Sequence, residues 1–162
     1  MCIFSACGQI VFGSIMVLCL ILTAVAAFDG KLVPWNCLTD EDVCNPWEKA
    51  QKDFLIAVAV LLCLAILFQL LSLAWNIFTF WACCCKKYVI HPLMGLSLLV
   101  AIFLLAAVIV YVVMTQDEAR GLITYRHNAY GYTFWLAVAA LILALIDTVV
   151  AGVTVCVGEQ GL

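Results

Sequence analysis

The chain reads as an all-α membrane protein: a four-transmembrane-helix bundle, both termini cytosolic, with a small extracellular first loop. Three observations carry this reading. Of 162 residues, 68% are hydrophobic and 10% charged, where a soluble domain carries roughly 25% charged residues. The apolar residues gather into four stretches, each long enough to cross a bilayer core, which takes about 20 helical residues. Lipid offers no partner to open backbone groups, so only helices and closed barrels span it. The period-2 alternation of barrel strands is absent from these stretches. A single domain over residues 1–162 follows. A net charge of −3 without a basic tail gives nucleic acid nothing to bind.

The first span is "GQIVFGSIMVLCLILTAVAAF", residues 8–28. Its end, residues 23–28, holds the small-x-small spacing of a signal-peptidase site. No Lys or Arg precedes the apolar run, so the segment is expected to stay as a span. Residues 29–53 form loop 1, and the second span covers 54–81. Loop 2 is short, 82–90, and leads into the third span at 91–114. Loop 3 covers 115–131 before the fourth span at 132–157. Four crossings put both termini and loop 2 on one side, with loops 1 and 3 on the other.

Two rules disagree on orientation. Lysines and arginines favour the cytosol, and loop 1 has Lys31, Lys49 and Lys52 against Lys86 and Lys87 in loop 2. Loop 1, however, carries six acids, and its pair Cys37/Cys44 suits an oxidising compartment. Loop 2 has no acid, and its lysines follow three cysteines. Juxtamembrane cysteines are palmitoylated on the cytosolic side. The termini and loop 2 are therefore assigned to the cytosol, in a multi-pass protein of the plasma membrane.

Ten cysteines sort by position. Cys19 and Cys63 lie inside spans and read as small hydrophobes. If Cys37 and Cys44 are oxidised, they have only each other in the outside loops, unless they bridge to another chain. Closing that loop contributes about 2–3 kcal/mol in the chain-entropy account; two free thiols are the alternative. Cys83, Cys84 and Cys85 lack the spacing of a tetrahedral zinc site. Lipidation beside Lys86 and Lys87 fits them better, giving two-signal anchoring; unmodified interfacial cysteines are the alternative.

Polar residues inside the spans stand out. An ionised carboxylate at Asp147 costs about 2.5–3.5 kcal/mol on insertion scales, so it should face the bundle. Asp147 and Gln69 each lie fifteen positions inward from the outer end of a span, roughly 22 Å at 1.5 Å per residue. Ser14 and Ser97 fall near the same level. The expectation is a hydrogen-bonded intramembrane polar layer of Ser14, Gln69, Ser97 and Asp147 that sets helix register. Such bonds average only about 0.6 kcal/mol, so the layer specifies more than it stabilises. Its rival is a charge that meets a partner subunit or a permeating ion. Ala140, Ala144, Thr148 and Gly152 form a ridge of small residues at i+4 spacing, where another helix can approach closely.

Nothing in the sequence suggests catalysis. Metalloprotease, nucleophile-elbow and phosphate-loop motifs are absent. A membrane transferase that holds an anionic thiol needs basic residues near its helices, and the first Arg is Arg120. His91 and His127 have no ligand partners at metal spacing. Asp40, Glu41 and Asp42 depart from the alternating ligands of a calcium loop. No cofactor, metal or small-molecule substrate is expected; the partners are membrane lipid and other membrane proteins.

Trp35, Cys37 and Cys44 follow the first span of a four-span chain. This arrangement resembles the superfamily of claudins, peripheral myelin protein and the epithelial membrane proteins, whose mark is W…C…C in the first extracellular loop. "WEKAQKDFLIAVAVLLCLAILFQLL" and "AYGYTFWLAVAALILALI", at the lead-ins to spans two and four, agree with it. Val33-Pro34 stands where claudins carry Gly-Leu, and loop 1 is about half the claudin length. The resemblance implies a protein acting by contact in cell junctions, adhesion or membrane organisation. The alternative it offers is an auxiliary subunit of a channel or receptor. It further implies a disulfide-pinned loop 1 with room for a short β-hairpin. Trp35, Asp40, Glu41, Asp42 and Trp47 would form the loop's contact surface.

Overall fold

A backbone in lipid must pair within its own segment, and long helices do this here. The computed structural model describes residues 2–29, 32–39, 52–81, 91–121 and 131–159. Its elements are α1 (Cys2–Phe28), α2 (Trp35–Thr39), α3 (Lys52–Trp81), α4 (His91–Gly121) and α5 (Tyr132–Glu159). Four helices are apolar enough to cross a membrane, over Cys7–Phe28, Lys52–Thr79, Pro92–Val113 and Tyr132–Thr154. The helices outrun the apolar stretches. α1 starts at Cys2 rather than residue 8, and α4 runs to Gly121 rather than residue 114. Hydropathy reports where lipid ends, not where a helix ends. "TQDEARG", the last described residues of α4, is rich in strong helix formers.

Successive crossings alternate in direction, so both ends of the chain come to one end of the bundle. α1 packs most closely on α5, and α3 on α4; α4 also meets α5, while α1 and α3 share the thinnest seam. Each long helix turns a regular stripe inward. On α1 the stripe is Gln9, Phe12, Met16, Cys19, Thr23 and Ala26, with Ala27 buried beside it. On α5 it is Thr133, Ala137, Ala140, Ala144, Asp147 and Ala151, with Phe134 and Leu141 buried beside it. Steps of three and four alternate along both, the spacing that left-handed bundles bury. Alanine is frequent there because small residues let helix backbones approach. Larger rings fill the wider gaps: Phe68 stacks on Phe103 at 5.4 Å, and Tyr111 on Phe134 at 5.5 Å. Ile10, Leu18, Ile77, Trp135 and Val149 lie on the outer faces, each more than half exposed. That surface is what lipid covers.

The α5 ridge is used inside the bundle. Ala140 and Ala144 are wholly buried, and Thr148 shares a 2.9 Å hydrogen bond with Ser97 of α4. A Cβ at Gly152 would stand 3.9 Å from the Met94 methyl. Contact is closer at two other glycines. A Cβ at Gly8 would come within 2.9 Å of Thr154 Oγ1, and one at Gly13 within 2.8 Å of Asn76 Nδ2.

The described part of loop 1 departs from the hairpin expectation. Leu32 and Val33 are buried against the bundle, and Trp35–Thr39 is a short helix. No strand occurs among the described residues. Pro34 explains this locally: it has no N–H for a strand ladder, and its fixed φ suits the start of a helix. Thr39 Oγ1 lies 3.2 Å from both Trp35 O and Asn36 O, closing the short turn.

Candidate functional site

Two regions gather functional chemistry, one at the end of the bundle where α1 meets α2 and one in the interior. At the first of these, α1 leaves its last carbonyls without intrahelical partners. Trp35 Nε1 donates to one of them, Ala27 O, at 2.7 Å. Its indole stacks on Phe28, with centroids 5.8 Å apart and planes inclined by 20°. Tyr132 Oη donates to the Asp29 carboxylate, tying the end of α1 to the start of α5. Trp35 was expected at the exposed contact surface. It is instead half-buried, because its N–H and one ring face are taken up by α1. Cys37 falls within α2, its side chain outside the described set. Cys44, Asp40, Glu41, Asp42, Trp47, Cys83, Cys84 and Cys85 lie outside the described residues.

In the interior, Gln69 of α3 is wholly buried. Its Nε2 donates to Cys19 Sγ and to Thr23 Oγ1, both at 3.1 Å. Thr23 Oγ1 donates to Cys19 O at 2.8 Å, and Cys19 Sγ to Ala140 O at 3.2 Å. Cys19 is thus a junction of α1, α3 and α5 rather than a plain hydrophobe. Cys63, by contrast, faces outward.

The expected layer of four does not form one network. Ser14 is exposed, with its hydroxyl donated to Ile10 O at 2.8 Å. Ser97 bonds Thr148. Asp147 is wholly buried, and neither carboxyl oxygen has a hydrogen-bond partner among the described residues. Depth arithmetic gives the level of a residue but not the side of the helix it occupies. The three-four stripe on α1 supplies that missing angle: Phe12, Met16, Cys19 and Thr23 lie on it, and Ser14 does not. The stripe was the signal that would have found Cys19 and Thr23.

Polarity also divides the stripe of α3. Leu55, Val58, Leu62 and Ala65 occupy its first half; Gln69, Ser72, Asn76 and Thr79 occupy the half toward the termini. Asn76 Nδ2 donates to the backbone oxygen of Gln9 at 3.2 Å, a reach that Gly13 leaves open. Both polar atoms of the Gln9 side chain, Asn76 Oδ1 and Ser72 Oγ remain unpartnered among the described residues. Beside Gln9 and Asn76, a groove of about 710 Å³ opens between α1 and α3. Chemically the interior holds hydrogen-bonding groups. Its only wholly buried thiol, among the described residues, donates its proton to a backbone carbonyl.

A bundle of four membrane-crossing helices, with a tryptophan-anchored segment after the first, defines a tetraspan membrane protein. The family model described as "Tight junction protein, Claudin-like" matches residues 1–157, and the chain belongs to that family. Comparison with curated proteins and with solved structures finds no significant match.

Proposed function

We propose that this protein acts by contact with other membrane proteins, in cell junctions, adhesion or membrane organisation, and transforms no substrate. The observation that carries the reading is the anchoring of Trp35 on the end of α1, which fixes the start of loop 1 to a rigid body. A recognition loop that is already ordered loses less entropy on binding. The family description, which names tight junction proteins, supports the same setting. In this reading loops 1 and 3 face outside, a Cys37–Cys44 disulfide stiffens loop 1, and Cys83, Cys84 and Cys85 carry lipid on the cytosolic side. The test mixes two cell populations that express the protein with different tags. Both tags should concentrate together at shared borders, and Trp35→Ala should disperse them. Uniform distribution of the unmutated protein would sink the reading.

A second reading rests on the brevity of loop 1, residues 29–53. As an auxiliary subunit of a channel or receptor, the protein would make its contacts within one membrane. Purification in mild detergent separates the two. A stoichiometric pore-forming companion supports the auxiliary role, and self-association supports the junctional one.

A further inference from the structure

The half of the bundle toward the termini holds more hydrogen-bond acceptors than donors to meet them. Among the described residues, seven buried side-chain polar atoms have no partner, and six of them are oxygens. These are Gln9 Oε1, Gln69 Oε1, Ser72 Oγ, Asn76 Oδ1 and both carboxyl oxygens of Asp147. The amide orientations follow from what each amide faces. Thr23 Oγ1 spends its proton on Cys19 O, so it can only accept, and the Gln69 atom facing it must be the nitrogen. Asn76 faces the backbone oxygen of Gln9, which likewise demands Nδ2. Both amide oxygens are left without a donor among the described residues.

Three of these residues converge on one level. Cys19 Sγ reaches Ala140 O, and Gly8 stands against Thr154. Asp147 lies seven residues from each of Ala140 and Thr154, so it is level with Gly13, midway between Cys19 and Gly8. Asn76 shares that level, since a Cβ on Gly13 would stand 2.8 Å from Asn76 Nδ2. The pairing of helices makes α3 and α5 the diagonal pair, facing each other across the bundle axis. They run in the same direction, and helical side chains lean toward the N-terminus. Asn76 and Asp147 therefore both lean toward the level of Ser72, one turn before Asn76.

A carboxylate at this place needs a positive partner, because an unpaired charge inside a bilayer is costly. Residues 1–30, 53–85, 88–119 and 127–162 contain no Lys or Arg, so the helices offer no basic side chain at this level. Carboxylate, hydroxyl and amide oxygens are the ligands that a hard cation takes. One carboxylate balances one positive charge, and a divalent ion would leave an excess charge in lipid. A buried water donates to two of the oxygens but leaves the carboxylate's charge in place. Such a site escapes the sequence motifs of metal binding, which rest on His, Cys or several acids.

We propose that Asp147, Ser72 and Asn76 bind one monovalent alkali-metal cation inside the bundle, with water completing its shell and Gln69 Oε1 one turn beyond Ser72. The proposal is independent of whether the protein works at junctions or as a subunit.

Full-length protein in lipid nanodiscs tests it, in mildly alkaline buffer where protons compete least for a carboxylate. The probes are radioactive sodium and radioactive rubidium, the latter standing in for potassium, with choline holding the ionic strength constant. At least one should bind saturably, one ion per chain, and the unlabelled salt should displace it. The ion that binds identifies the cation. The thermal midpoint should rise along the same saturation curve. In choline Asp147→Leu should be more stable than the unmutated protein, and the binding cation should narrow that margin. Asp147→Asn keeps the shape, removes the charge and should abolish binding. Ser72→Ala should weaken binding roughly threefold to tenfold, the loss expected for one neutral ligand. Ser14→Ala, whose hydroxyl serves its own helix, should leave binding unchanged. The proposal is overturned if neither ion binds saturably, if the midpoint is the same in choline and in both salts, or if Asp147→Asn binds as the unmutated protein does. If Asp147→Asn does not fold, Ser72→Ala decides: unchanged affinity overturns the site.

Discussion

Trp35→Ala strips the indole from the end of α1, removing its stack on Phe28 and leaving Ala27 O without its donor. Losing a buried large aromatic costs about 3–5 kcal/mol; for this half-buried ring about 2–3 kcal/mol is expected. Trp35→Phe keeps a ring and loses only the bond, at about 1 kcal/mol. Thermal unfolding in detergent should rank the two in that order. Asp147 behaves oppositely. Its carboxyl is buried without a hydrogen-bond partner among the described residues. Asp147→Leu should therefore stabilise the isolated protein by about 1–3 kcal/mol, the usual cost of an unsatisfied buried polar group. A lower midpoint would mean the carboxyl holds the bundle together. If a partner subunit meets this carboxyl, Asp147→Leu should weaken co-purification of that partner while the isolated protein gains stability.

The helices themselves were legible, because lipid dictates length and leaves the backbone no alternative. Their ends were less so: the polar tail of α4 stays helical well past the apolar stretch. α2 could not be read from periodicity, since five residues make little more than one turn. Its cause was visible only as Pro34. The interior network was partly legible, as Gln69 announces itself in apolar company, whereas Cys19 and Thr23 do not; Asp147 is as conspicuous but stands outside that network among the described residues. Packing between helices also rests on what is missing. Gly8→Leu places a side chain where Thr154 already stands, with Oγ1 at 2.9 Å and Cγ2 at 3.3 Å from the new Cβ. Thr154 cannot turn aside freely, because it is β-branched and its hydroxyl bonds Val150 O at 2.7 Å. The substitution should cost about 1–3 kcal/mol. Thr154→Ala should recover part of it, and a double-mutant cycle measures the coupling.

For the molecule as a whole, orientation decides how every surface is used. With loops 1 and 3 outside, a membrane-impermeant maleimide on intact cells should reach Cys37 and Cys44 only after reduction. Cys83, Cys84 and Cys85 should react only after permeabilisation and removal of thioesters. The reverse pattern would invert the topology and with it the proposed role. If the protein borders an ion path, the acids Asp40, Glu41 and Asp42 should favour cations. Neutralising all three together should then weaken cation selectivity in transepithelial or channel recordings. The order of assembly follows from the pairing of helices. α1 is made first, yet its main neighbour is α5, which is made last. A nascent chain therefore leaves the α5-facing stripe of α1 uncovered, and Cys19 Sγ without its Ala140 acceptor, for roughly 5–20 s at 5–20 residues per second. Polypeptides halted before Tyr132 should thus be retained by membrane quality control and degraded, while the finished chain escapes it.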